Sequence, residues 1–174
     1  MNTMPMTRRA ALRAALGGAL AAAVAGCGFE LRRATPLAFK RVQLAGFATR
    51  STMADELRRQ ILASGSSQVV ESMAQADLII LCLKEGRDRV AAASTAYAQV
   101  RDITLTARLR YMVRTPDGRV LITPTDVALS RDMNYNESNA TAKEQESDML
   151  FRAMQADIAG QVMRRLSKLG AAKK

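Results

Sequence analysis

Apolar and polar positions along the chain alternate with two periods, about two and about 3.6 residues, and the order of these stretches predicts the order of elements. Phe39 to Leu44 predicts a first strand, with Val42 and Leu44 on one face and Arg41 and Gln43 on the other. Met53, Leu57 and Ile61 then recur at helical spacing. Ser51 or Thr52 precedes them as a cap, Asp55 and Glu56 fall in the first turn, and Gly65 marks the end. Asp77 to Leu83 is a nearly continuous apolar run, which predicts a strand covered on both faces or central in its sheet.

The longest alternation runs from Gln99 to Arg114. Ile103, Leu105, Ala107, Leu109, Tyr111 and Val113 share one face, while Asp102, Thr104, Thr106, Arg108 and Arg110 share the other. Thr115-Pro116-Asp117-Gly118 predicts a tight turn into a further strand at about Val120 to Tyr135. Pro124 interrupts that strand and predicts an edge position or a bulge. Thr141-Ala142-Lys143-Glu144 matches a capping box, and Leu150, Met154, Ile158, Val162 and Leu166 form the stripe of a last helix reaching about Leu169. Glu144, Glu146 and Asp148 near its start, and Arg164, Arg165 and Lys168 near its end, complement the helix dipole.

The predicted order is βαβββα: an α+β fold with a four-stranded mixed sheet and two helices packed on one face, spanning residues 37–169. The topology places Arg87 and Arg89, read as lying in the loop after the second strand, at the same end of the sheet as Lys143. An isolated cation of this kind is usually a solvated surface charge. The convergence of three at one end makes Arg87, Arg89 and Lys143 a candidate anion site.

Residues 1–26 do not fit the periodic scheme. Arg8, Arg9 and Arg13 are followed by 12 uncharged, mostly small apolar residues, Ala14 to Ala25, and then by Gly26-Cys27. A cationic start, a short apolar stretch and a small-residue cleavage site define a secretory signal; a span needs about 20 apolar residues. Small residues directly before Cys27 resemble a bacterial lipobox, in which the thiol is acylated and the chain is cut before the cysteine. Two or three acyl chains, each CH₂ contributing about 0.8 kcal/mol, make such an anchor effectively permanent. Thr7-Arg8-Arg9 also resembles a twin-arginine export signal. Residues 27–36 read as a lipid-anchored lead, with Cys27 at the end of the sheet opposite the cationic cluster, and residues 170–174 as a basic tail.

Composition narrows the chemistry. The 174 residues include no histidine, which excludes histidine acid/base work, histidine-dependent triads and most zinc and haem sites. No phosphate-cradling glycine loop and no cysteine metal spacing occurs, so no cofactor, metal or catalytic residue is expected. Cys82, within its apolar run, reads as a core residue, and Glu144 with Asp148 as dipole-complementing acids. The net charge is +10; the signal's three arginines account for part of it, leaving 23 basic and 16 acidic residues, or +7, in the mature domain. Aromatic residues make up only 4%, so a stacking groove for nucleic acid is not expected; the anions left to an exported lipoprotein are lipid and lipopolysaccharide phosphates.

Several stretches resemble the LptE family of lipopolysaccharide-assembly lipoproteins. They are Cys27-Gly28-Phe29-Glu30-Leu31-Arg32, the helix ending near Leu62 to Gly65, Tyr97 opening the long strand, and the run from Ala142-Lys143-Glu144 through Ser147-Asp148-Met149 to Val162-Met163-Arg164-Arg165-Leu166. The resemblance covers essentially the whole mature chain, although it ends at Lys174 without the long polar tail of some relatives. It implies a lipid-anchored outer-membrane protein of a Gram-negative bacterium, consistent with Gly28 after the acylated cysteine. It further implies a one-to-one complex with the LptD β-barrel, a place as a plug in its lumen, a role in its assembly, and lipopolysaccharide binding through basic residues. Lys143 matches such a position, and Arg89 and Arg87 align with a gap. A rival reading is a periplasm-facing auxiliary lipoprotein of a lipid-trafficking ABC transporter.

Overall fold

The first strand, β1 (Arg41–Ala45), buries Val42 and leaves Arg41 exposed, as its alternation requires. The computed structural model describes residues 37–94 and 100–171. Cys27 and Tyr97 lie outside them. Helix α1 (Thr52–Ala63) starts at Ser51, whose side chain accepts a hydrogen bond from the Ala54 amide at 3.0 Å. Its buried face carries Met53, Leu57 and Ile61.

A two-residue strand, β2 (Gln68–Val69), follows and pairs in parallel with β1. It corrects the expected four-stranded sheet to five strands, in the order β2-β1-β3-β4-β5. Two residues are too few for a period to show, and only the neighbouring strand makes them extended.

Strand β3 (Leu78–Ser94) pairs in parallel with β1 and antiparallel with β4 (Val100–Arg114). Its first residues are central, as the apolar run predicted, and Leu78, Ile79 and Ile80 are fully buried. The strand then continues well past Leu83. Arg87 and Arg89 therefore lie within a strand and not in a loop, because backbone pairing with Ala107 and Leu105 of β4 holds the polar stretch extended. On β4 the predicted face is buried, with Leu105, Ala107, Leu109, Tyr111 and Val113 at 1% exposure or less.

The tight turn closes with the Gly118 amide donating to the Thr115 carbonyl at 3.0 Å, Gly118 taking a φ of +92°. It leads into β5 (Val120–Asn134), which is an edge strand and shifts register opposite Tyr111 to Val113, around Pro124. Both consequences of that proline are met in one strand.

Helix α2 (Ala140–Ala171) follows a 3₁₀ turn at Glu137–Asn139. Thr141 thus lies inside the first turn and is not its cap, and the helix runs two residues past Leu169. The two helices and the sheet share one core, in which Leu57 and Ile61 of α1 and Met154, Ile158, Val162 and Leu166 of α2 meet Val42, Ile80, Leu109 and Tyr111 of the strands. Cys82 belongs to that core, where burial first, and then the charge of Glu85, push its thiol up to about 11. No helix among the described residues is long and apolar enough to cross a membrane.

Candidate functional site

The site begins with one inserted residue. On β3, Cys82 pairs with Tyr111 but Lys84 pairs with Arg110, so Leu83 is a bulge. Because side chains alternate sides, one extra residue exchanges the faces of everything that follows. Before the bulge Leu78, Ile80 and Cys82 share the helix-covered face with the core; after it that face receives Glu85, Arg87 and Arg89, paired with Leu109, Ala107 and Leu105. Without Leu83 both arginines would point to the opposite side of the sheet.

Gly46 supports this geometry at the end of β1. Its φ of +76° turns the chain across β3, and a Cβ there would collide with the Cys82 carbonyl oxygen. The turn delivers Ala48 and Ser51 to Glu85, whose carboxylate accepts from the Ala48 amide at 3.3 Å and from Ser51 Oγ at 2.6 Å. One charged residue of β3 thereby fixes the N-terminus of α1.

Arg87 and Arg89 converge on Phe151 of α2, their guanidinium carbons 5.5 and 5.8 Å from the ring centroid. An aromatic face at this distance attracts a cation by roughly 0.5–1 kcal/mol at exposed sites. Arg87 also donates to Thr52 Oγ1 at 3.2 Å, and lines a cavity of about 180 Å³ with Arg50, Thr52, Glu85, Arg108 and Gln155. Arg89 instead forms a two-pronged pair with Glu144, at 2.6 and 2.7 Å. Those hydrogen bonds hold the Glu144 carboxyl below the usual carboxylate range and raise the Arg89 guanidinium.

Lys143 is half-buried and donates to Glu146 at 2.8 Å. With Arg89, Tyr135, Glu144 and Ser147 it lines a second, much smaller cavity of about 10 Å³. The buried Ser147 hydroxyl there has no hydrogen-bond partner. The structure therefore brings the three predicted cations to one end of the helix-covered face. It also adds what periodicity did not reveal: Phe151 beneath Arg87 and Arg89, Glu144 bound to Arg89, and Glu146 bound to Lys143. Phe151 was detectable, being three residues before Met154 and thus on its face; the strict four-residue stripe drifts off that row.

Beyond Leu83 the opposite face of the sheet is largely polar, whereas before it that face carries the fully buried Ile79. Arg108 pairs with Asp88 at 2.7 Å, Thr104 donates to Asp132 at 2.6 Å, and Thr106 and Ser130 lie 2.9 Å apart. Among the described residues no group of three metal-ligating side chains occurs.

These features define an α+β domain with one polar sheet face, one helix-covered face and a cationic cluster at the edge of its core. Solved structures share the architecture. Uncharacterized lipoprotein B from Nitrosomonas europaea is 26% identical, with a TM-score of 0.67 over 83% of this chain and 94% of that one. A minor lipoprotein from Acinetobacter baumannii (18%, TM-score 0.61, 76% and 94%) and rare lipoprotein B from Shewanella oneidensis (15%, TM-score 0.60, 77% and 96%) share the fold. Among curated proteins no sequence matches. Residues 39–166 match the family model of LptE, lipopolysaccharide-assembly, and the chain belongs to that family of lipoproteins.

Proposed function

We propose that this protein is lipid-anchored at the outer membrane through Cys27 after loss of residues 1–26. There it complexes one-to-one with the LptD β-barrel, plugs its lumen, assists its assembly, and binds lipopolysaccharide on its way to the cell surface through Arg87, Arg89 and Lys143. The observation that carries the binding part is the gathering of these three cations around Phe151 and the start of α2. Family membership and the polar outer face of β3, β4 and β5 support the plug: a folded surface of paired charges and hydroxyls suits a hydrophilic barrel wall.

Affinity purification of the full chain in mild detergent tests the complex. A partner of β-barrel mass is expected in equal amount; recovery of the protein alone, or with an inner-membrane transporter complex, overturns the plug. Binding to lipopolysaccharide should weaken with salt and fall when Arg89 and Lys143 are both changed to Glu. Unchanged binding in that double variant overturns the site and leaves the plug intact.

A further inference from the structure

The cluster is charged but close to neutral. Arg89 is bound on both prongs by Glu144 and feels the further negative charge of Asp148, while Lys143 is bound by Glu146. Arg87 is held by neutral groups, Thr52 Oγ1 and the Phe151 ring. An anion arriving here meets one cation ready to receive it and two that are already satisfied.

The Arg89–Glu144 pair is exposed, with 40% and 58% of the two side chains open to solvent. Exposed pairs are weak, so this one opens readily. What replaces Glu144 must still better a carboxylate. A phosphodiester headgroup brings one negative charge, so the exchange is nearly even. A phosphomonoester brings about −1.5 to −2 charges at neutral pH and three strong acceptor oxygens, enough to span Arg87 and Arg89 together.

We infer that Glu144 is an internal gate on the anion site: a carboxylate that occupies Arg89 and yields it to a lipid-borne phosphomonoester but not to singly charged phosphodiester lipids, so that only the former engages both arginines. Phe151 serves the exchange by keeping both guanidiniums in place while Glu144 leaves. The assignment rests on the anion-binding reading of Arg87, Arg89 and Lys143, and adds to it an internal competitor on α2.

The test is calorimetric titration of the full chain in mild detergent with three probes: micellar lipid A, which carries phosphomonoesters, micellar phosphatidylglycerol, a phosphodiester, and inorganic phosphate. Wild type should favour lipid A over phosphatidylglycerol. Glu144→Gln keeps the side-chain shape and removes the competing charge; it should tighten lipid A by up to about fivefold, the scale of an exposed ion pair, and make phosphatidylglycerol binding, insensitive to Arg89→Ala in the wild type, depend on Arg89. Phosphatidylglycerol binding that already depends on Arg89 in the wild type, or lipid A binding unchanged in Glu144→Gln, with lipid A binding still lost in Arg87→Ala/Arg89→Ala, overturns the role of Glu144 and leaves the anion site standing. Lipid A binding that survives Arg87→Ala/Arg89→Ala removes the site and this inference with it. Inorganic phosphate binding as tightly as lipid A overturns the assignment to a lipid-borne group.

Discussion

The two halves of β3 lie in one strand, yet they do opposite work. From Leu78 to Cys82 the inward side chains are Leu, Ile and Cys, buried in the common core. From Glu85 to Arg89 they are Glu, Arg and Arg, all hydrogen-bonded to side chains of the helices or of the turn before α1. Phe151 stands at the border, with a buried ring that also receives both arginines. One half is stabilised by loss of water from apolar surface, and the other by directed polar contacts that leave its cations within reach of solvent. A strand can thus pass from scaffold to binding surface without changing layer, provided its phase is reset where the chemistry changes.

The sharpest way to break this comparison is deletion of Leu83. It removes the bulge, sends Glu85, Arg87 and Arg89 to the other face, and forfeits the Ser51, Thr52 and Glu144 contacts together. Thermal unfolding should show the largest loss of stability of any change described for this protein, with loss of lipopolysaccharide binding. If both survive, the bulge does not set the face. Next comes a pair of truncations, one in each half. Ile80→Ala, in the dry half, should cost about 2–5 kcal/mol in denaturant unfolding. Arg87→Ala, in the polar half, should barely move the midpoint while weakening anion binding; equal losses of stability would erase the distinction.

The smallest effect expected is one of pH. Asp77 sits at the foot of β3, where hydrogen bonds from the Arg41 side chain, and then from its backbone amide, hold its carboxyl below the usual carboxylate range against opposing burial. Glu144, in the distal half, is lowered by Arg89. A carboxylate with a lowered folded pKa contributes stability that is complete above its unfolded value, near 4, and is lost as pH falls through the folded one. Melting temperatures of Asp77→Asn and Glu144→Gln should therefore lie slightly below wild type from neutral pH down to about pH 5, and converge with it in more acid solution. A gap that persists at low pH would mean that packing, and not charge, is lost in these variants.

Much of the fold was legible because its local rules agree. Ser51 precedes a helical stripe, Leu105 to Val113 alternate over a long run, and Pro124 foretold an edge or a bulge, of which both occur. The site was legible only in part. Arg87, Arg89 and Lys143 were placed at the correct end by topology, but the arginines were assigned to a loop because their surroundings lose apolar periodicity where β3 runs beyond the apolar part of the core. Glu144 was visible as an acid near a helix start. Its engagement with Arg89, 55 residues away, depends on a strand register that no local pattern encodes.

Periods of apolar side chains, turn chemistry and capping residues act over a few neighbours, so the two helices, the four longer strands and the signal-like start follow from local sequence. The fifth strand, the face taken by Arg87 and Arg89, and the engagement of Arg89 by Glu144 arise only in the tertiary structure. Each depends on pairing or packing that exists only once the sheet is assembled, and the insertion of Leu83 alone settles which side of that sheet carries the charge.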